Sequence, residues 1–191
     1  MDFKKFVNGV YLDDKTLKEM NKSYLNSGVL KLERFLKDEI YSELSKLLKG
    51  LKGEHVKIAD RYSYSEMGDL SGVGKLFSSS DFLNFTGKIA GKNFDKIDLQ
   101  IFGFGHKDYT LLHDSEDDRK GTEFIFIFSE KWDKKWGGYI VYTDNEDKSL
   151  IFLPQGNNFA LVNKEGLGRF VKYINHLAKE ESFILVLGRF Q

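Results

Sequence analysis

The chain carries four histidines and no cysteine. Without a thiol there is no disulfide, no thiolate metal site and no thiol nucleophile. Metal or acid–base chemistry would therefore fall to histidine and carboxylate. His106-Lys107-Asp108 is one such pattern. On a strand, residues i and i+2 point to one side, so this pair could share a divalent ion, with His176 as a third ligand. Against a regular strand there, the preceding Phe102-Gly103-Phe104-Gly105 reads as a turn. Gly103 and Gly105 also lack the third glycine and following helix of a dinucleotide fingerprint. His113 heads a polar run, Asp114-Ser115-Glu116-Asp117-Asp118. Its plain reading is a hydrogen-bonded, partly buried imidazole beside a solvated turn, and nothing else supports a hard-cation site at 116–118. Ser78-Ser79-Ser80-Asp81 reads as a helix cap, Trp132 and Trp136 as packing, and His55 as a surface residue.

The elements that must position these residues fall in two regions. Early in the chain, Leu36, Ile40, Leu44, Leu47, Leu48 and Leu51 follow helical spacing, which predicts a helix over 34–49 stopped by Gly50 and Gly53. A second helix is expected over 80–90, with Phe82, Phe85 and Ile89 on one side, and a third near 14–24 after Asp13. From residue 96 the period becomes two. Strands are expected at 97–103, 109–113, 122–129, 138–143, 149–153, 158–163, 169–175 and 182–190. Thr122-Glu123-Phe124-Ile125-Phe126-Ile127-Phe128 has phenylalanine on one face and isoleucine on the other. A strand apolar on both faces is covered on both. One face would line a β interior and the other would lie under the N-terminal helices. The expected fold class is mainly β with N-terminal helices (α+β), a jelly roll with helices packed outside. The 191 residues suit a single domain, with 1–95 as a helix-rich support region and 96–190 as the jelly-roll core.

Charge narrows the partners. The 29 basic and 29 acidic residues cancel, whereas nucleic acid or an anionic membrane surface usually calls for a basic excess. No run is long enough to span a bilayer, and Met1-Asp2-Phe3-Lys4-Lys5-Phe6 lacks the apolar core of a signal peptide. The expectation is a cytoplasmic protein with neither nucleic-acid nor membrane partners.

One succession goes further. Tyr109-Thr110-Leu111-Leu112-His113-Asp114-Ser115 leads into the double-apolar strand, followed by Lys131-Trp132-Asp133-Lys134-Lys135-Trp136-Gly137-Gly138-Tyr139. Phe152-Leu153-Pro154, Asn157-Asn158-Phe159-Ala160-Leu161-Val162 and a last strand ending Leu187-Gly188-Arg189-Phe190 complete it. The whole, over roughly residues 29–190, resembles the prolyl-hydroxylase-like 2-oxoglutarate/Fe(II) oxygenases, closest to the branch that hydroxylates a ribosomal-protein proline. The resemblance implies a double-stranded β-helix. It also implies ferrous iron held by two histidines and a carboxylate, and a cation on the last strand for the far carboxylate of 2-oxoglutarate.

Carried over residue by residue, only the first histidine is kept, as His113. Ser115 stands where the carboxylate belongs, Arg169 where the second histidine belongs, and Phe183 where the cofactor-binding arginine belongs. A hydroxyl is a poor anionic ligand, and a guanidinium cannot deprotonate to bind metal. The set His113, Ser115 and Arg169 therefore reads as a vestigial site. Arg169 should either pair with a local acid such as Asp114 or Glu116, or hold an anion. The alternative metal set is His106, Asp108 and His176, with Arg189 binding the cofactor.

The first expectation is thus a binding or scaffold domain with no cofactor. Its former active-site cleft would take a small molecule or a protein segment. The alternative is an active Fe(II)/2-oxoglutarate dioxygenase acting on a protein side chain or small molecule. A third reading is a regulatory subunit paired with an active relative.

Overall fold

Strand β6 (Thr122–Phe128) is buried from end to end, and its two faces organise the molecule. In the computed structural model, which describes residues 3–51, 53–68, 72–112, 120–144 and 149–191, Phe124, Phe126 and Phe128 enter one apolar core while Ile125 and Ile127 enter another. The larger sheet is ordered β1 (Val29–Leu32), β9 (Asn158–Asn163), β6, β11 (Phe183–Phe190), β4 (Ile97–Phe104), β3 (Tyr62–Glu66) and β2 (Glu54–Ile58), with β5 (Tyr109–Thr110) also paired to β3. The smaller sheet is β10 (Gly168–Val171), β7 (Ile140–Thr143) and β8 (Ser149–Phe152). All these pairings are antiparallel.

The isoleucine face of β6 looks into the space between the sheets, where it meets Ile140 and Tyr142 of β7, Val171 of β10, and Leu185 and Leu187 of β11. The phenylalanine face is roofed by the helices. α3 (Val73–Phe77) and α4 (Ser80–Ala90) bring Phe77 and Phe82 to 5.0 and 5.1 Å from the Phe124 ring. Phe35 stacks on Phe159 at 4.6 Å. Full burial of one such ring is worth about 1.5–3 kcal/mol, so this aromatic layer is a major source of the fold's stability. Gly188, opposite Phe124 in the β6–β11 register, lies under that ring, and a Cβ there would collide with it.

The helix over 80–90 forms as expected, with the Ser79 side chain accepting from the Phe82 amide. The first helix, α1 (Asp14–Ser27), is capped by Asp13 and ends at Gly28 in the left-handed region. The helix expected over 34–49 starts late, at Asp38, as α2 (Asp38–Lys49). The reason is long-range. The buried Asn157 side chain accepts from the Leu36 amide at 2.8 Å and donates to its carbonyl at 2.9 Å, holding residue 36 out of the helix. Leu36 is fully buried all the same, while Leu47 is 58% exposed despite its helical spacing.

Residues 96–190 do not build the larger sheet alone. β1, β2 and β3 come from the region expected to be helix-rich support. They are short or polar, which is why their period-two signal is weak. β3 nonetheless alternates Tyr62-Ser63-Tyr64-Ser65, with Tyr64 turned towards Phe102 and Phe104 and Tyr62 against Tyr64.

Candidate functional site

Between the sheets, the odd-numbered face of β6 begins with a charge. Glu123 is 1% exposed, and strand pairing brings three cations to it. Arg189 is its register partner on β11, Arg169 reaches it from β10, and Lys164 follows β9. Arg169 Nε donates to Glu123 Oε1 at 3.1 Å. Lys164 Nζ and Arg189 Nε each lie 3.6 Å from Oε2. The Tyr142 hydroxyl of β7, itself the register partner of Arg169, also donates to Oε1. One carboxylate of the larger sheet is thus tied to two strands of the smaller one across the interior.

The electrostatics follow from that geometry. Burial pushes the Glu123 carboxyl up, but Arg169, Lys164, the Tyr142 hydrogen bond and Arg189 outweigh it and hold the group below its usual range. Burial first, and then the Glu123 charge, push the Tyr142 hydroxyl well above the ordinary tyrosine value, so it stays protonated and serves as a donor. Beside this cluster a cavity of about 170 Å³ opens at the β3–β4 end of the sandwich. Arg169, Arg189, Gln100, Tyr64, Phe102 and Thr110 border it.

Of the residues singled out from the sequence, His113, Asp114, Ser115 and Glu116 lie outside the described residues. Arg169 is buried and ion-paired, and the acid it meets is Glu123, to which sequence reasoning gave no role. Phe183 is buried between Phe104 and Trp132, at 5.3 and 5.0 Å between ring centroids. Its position on β11 therefore serves packing. His106 and His176 are exposed on neighbouring loops. Asp108 is buried but occupied: it accepts from the Ser63 hydroxyl at 2.6 Å and from the Gly105 amide at 2.8 Å, closing the turn that the glycines suggested. Among the described residues no group of three or more His, Asp or Glu is placed to hold a metal ion, so His106, Asp108 and His176 do not come together as ligands. Arg189 lies on the last strand but against Glu123. Trp132 packs on Trp136 and Phe183, its indole donating to the Gly137 carbonyl at 3.0 Å. Gly137 adopts φ +85° against the Tyr173 carbonyl, where a Cβ would clash.

Among the described residues no set fits an iron centre. The three described histidines, His55, His106 and His176, are all exposed. The interior carboxylate, Glu123, is engaged by cations and a hydroxyl.

The fold is a jelly roll of the 2-oxoglutarate/Fe(II) oxygenase type. A 2OG-Fe(II) oxygenase-family oxidoreductase from Burkholderia pseudomallei superposes with a TM-score of 0.69 at 11% identity, covering 94% of this chain and 92% of that one. A Pseudomonas putida prolyl-4-hydroxylase gives 0.69 at 10% identity over 92% and 98%. These likenesses concern the fold. The family model described as "Oxoglutarate and iron-dependent oxygenase degradation C-term" matches residues 1–67 and 54–191. The chain belongs to that family, within the prolyl-hydroxylase-like 2-oxoglutarate/Fe(II) oxygenases. It is also 37% identical over 90 residues to prolyl 3-hydroxylase OGFOD1 of Mus musculus, a stretch covering 44% of this chain and 16% of that protein. No helix among the described residues is long and apolar enough to cross a membrane.

Proposed function

We propose that this chain is a non-catalytic binding or scaffold domain of its family. Its ligand, a small molecule or a protein segment, occupies the cavity bordered by Arg169 and Arg189, in a cytoplasmic setting without nucleic-acid or membrane partners. The observation that carries this reading is the buried Arg169–Glu123 pair, with a guanidinium at the position where the family resemblance puts the second metal-binding histidine. Arginine cannot ligate metal, and the Glu123 carboxylate of the cluster is engaged by three cations and the Tyr142 hydroxyl. A cavity with aromatic walls and several convergent polar groups is the usual form of a ligand site. The unit of function in this proposal is the whole chain, since strands from both its regions frame the site.

The test is metal analysis of the purified protein, with anaerobic Fe(II) loading and a 2-oxoglutarate titration followed by calorimetry. The expected result is no stoichiometric iron and no turnover of 2-oxoglutarate. Stoichiometric iron with 2-oxoglutarate consumption would overturn the reading. It would place the chain among active dioxygenases, with the metal on an altered set around His113.

A further inference from the structure

The arginine-bordered cavity has two ends of opposite charge. Arg189 stands opposite Asp98 of β4, and Glu66 opposite Phe102 of the same strand. Both Arg189 and Glu66 line the cavity. From 98 to 102 is four residues along β4, about 13 Å at the rise of a strand. At the outer end Glu54 of β2 is the register partner of Glu66. Cross-strand partners share a face, and like charges so placed repel. Among the described residues neither carboxylate has an ion pair or a side-chain hydrogen bond. Between the two ends lies Gln100, half-buried and lining the cavity, whose side-chain amide also has no hydrogen-bond partner among the described residues. Tyr64 and Phe102 form the wall beside it as nearly perpendicular rings, 5.1 Å between centroids at 80°.

We propose that the ligand of this cavity is a small zwitterion of the ω-amino acid class, with its carboxylate at Arg169 and Arg189 and its ammonium group at Glu66. This rests on the reading of the chain as a binding domain and names the chemistry of what it binds. An ammonium group answers the adjacent Glu54 and Glu66 carboxylates and is attracted by the Tyr64 and Phe102 rings. A carboxylate answers the arginine end. Arg169 and Arg189 keep their contacts with Glu123, since a guanidinium carries several donors. A ligand with a carboxylate alone would leave the acidic end unanswered, and one with an ammonium alone would share the cavity with two guanidinium groups. The spacing of the ends selects a ligand whose charges are several bonds apart, which excludes an α-amino acid. Gln100, between them, can both donate to and accept from the ligand. The volume of about 170 Å³ lies below the roughly 300–1,000 Å³ of drug-sized sites, which suits a short chain.

A matched set of probes tests this: 6-aminohexanoate, hexanoate and hexylamine, each titrated into the isotope-labelled full chain. The zwitterion should bind at least about tenfold more tightly than either singly charged analogue. It should shift the side-chain amide resonances of Gln100 and the ring resonances of Tyr64 and Phe102. Glu66→Gln, at an exposed strand position, should abolish the preference for 6-aminohexanoate over hexanoate while leaving hexanoate binding as it was. The inference is overturned if either singly charged probe binds as tightly as the zwitterion, or if Glu66→Gln leaves the preference intact. It is equally overturned if none of the three shifts Tyr64 and Phe102. Tight hexanoate binding at those rings would leave the binding-domain reading standing with a different ligand class, whereas iron loading with 2-oxoglutarate turnover would overturn that reading itself.

Discussion

Arg169→Ala separates a buried ion pair from a mere packing contact. The guanidinium and the Glu123 carboxylate approach to 3.1 Å with 9% and 1% side-chain exposure. At an effective dielectric constant of about 20 that separation corresponds to roughly 5 kcal/mol of attraction, most of it offsetting the desolvation of both groups. Breaking such a pair from one side typically costs about 3–5 kcal/mol, because the remaining charge stays buried. Lys164 and Arg189 still flank Glu123 after the substitution, which puts the expected loss near the lower end, about 3 kcal/mol. For a chain of this size that lowers Tm by about 6–12 °C. Calorimetry and denaturant unfolding measure it, and pH gives the discriminating signature. In the intact protein the Glu123 pKa is below its unfolded value. The pair's stabilisation is therefore fully present above the ordinary carboxylate range and lost as pH falls through the lowered folded value. The gap between the intact protein and Arg169→Ala should be widest near neutrality and narrow in acid. A gap below about 1 kcal/mol, or one independent of pH, would refute the ion pair as the tie between the sheets.

Glu123→Leu combined with Arg169→Met should not recover the stability that Arg169→Ala loses, because Lys164, itself 1% exposed, then loses the carboxylate it shares; thermal unfolding of the double variant checks this. Phe126→Ala, at a ring with no exposure, should cost about 3–5 kcal/mol in denaturant unfolding. Asn157→Ala should cost about 2–4 kcal/mol in the same assay, since two buried backbone groups of Leu36 lose their partners.

The β half of the fold was legible because its signals are local. The alternation of Phe and Ile along β6 states that both faces are covered, and the two cores take those two residue types separately. The Phe82, Phe85 and Ile89 spacing with Ser79 ahead of it marks α4 to the residue. Where contacts lie far apart along the chain, legibility fails. The start of α2 is set by Asn157, 121 residues away from Leu36, and no window around residue 36 contains that information. Glu123 and Arg169 are 46 residues apart, so neither predicts the other. The visible hint was a lone carboxylate on the isoleucine face of an otherwise apolar strand, which has to find cations when buried. Arg169 is buried against Glu123, an acid that the sequence reading does not name.

That cluster also bears on how the two sheets are held together. In this chain Glu123 projects from the larger sheet and meets Arg169 and Tyr142 of the smaller one, so the tie across the sandwich is made of hydrogen bonds and charge. The cohesion of the two sheets otherwise rests on the isoleucine face, and that of the helices on the phenylalanine face. Such a tie persists only while each buried charge keeps a partner. The sign of the Glu123 shift is the consequence: the carboxylate is held ionised by its cations despite its burial, the condition under which a buried acid strengthens the fold at neutral pH.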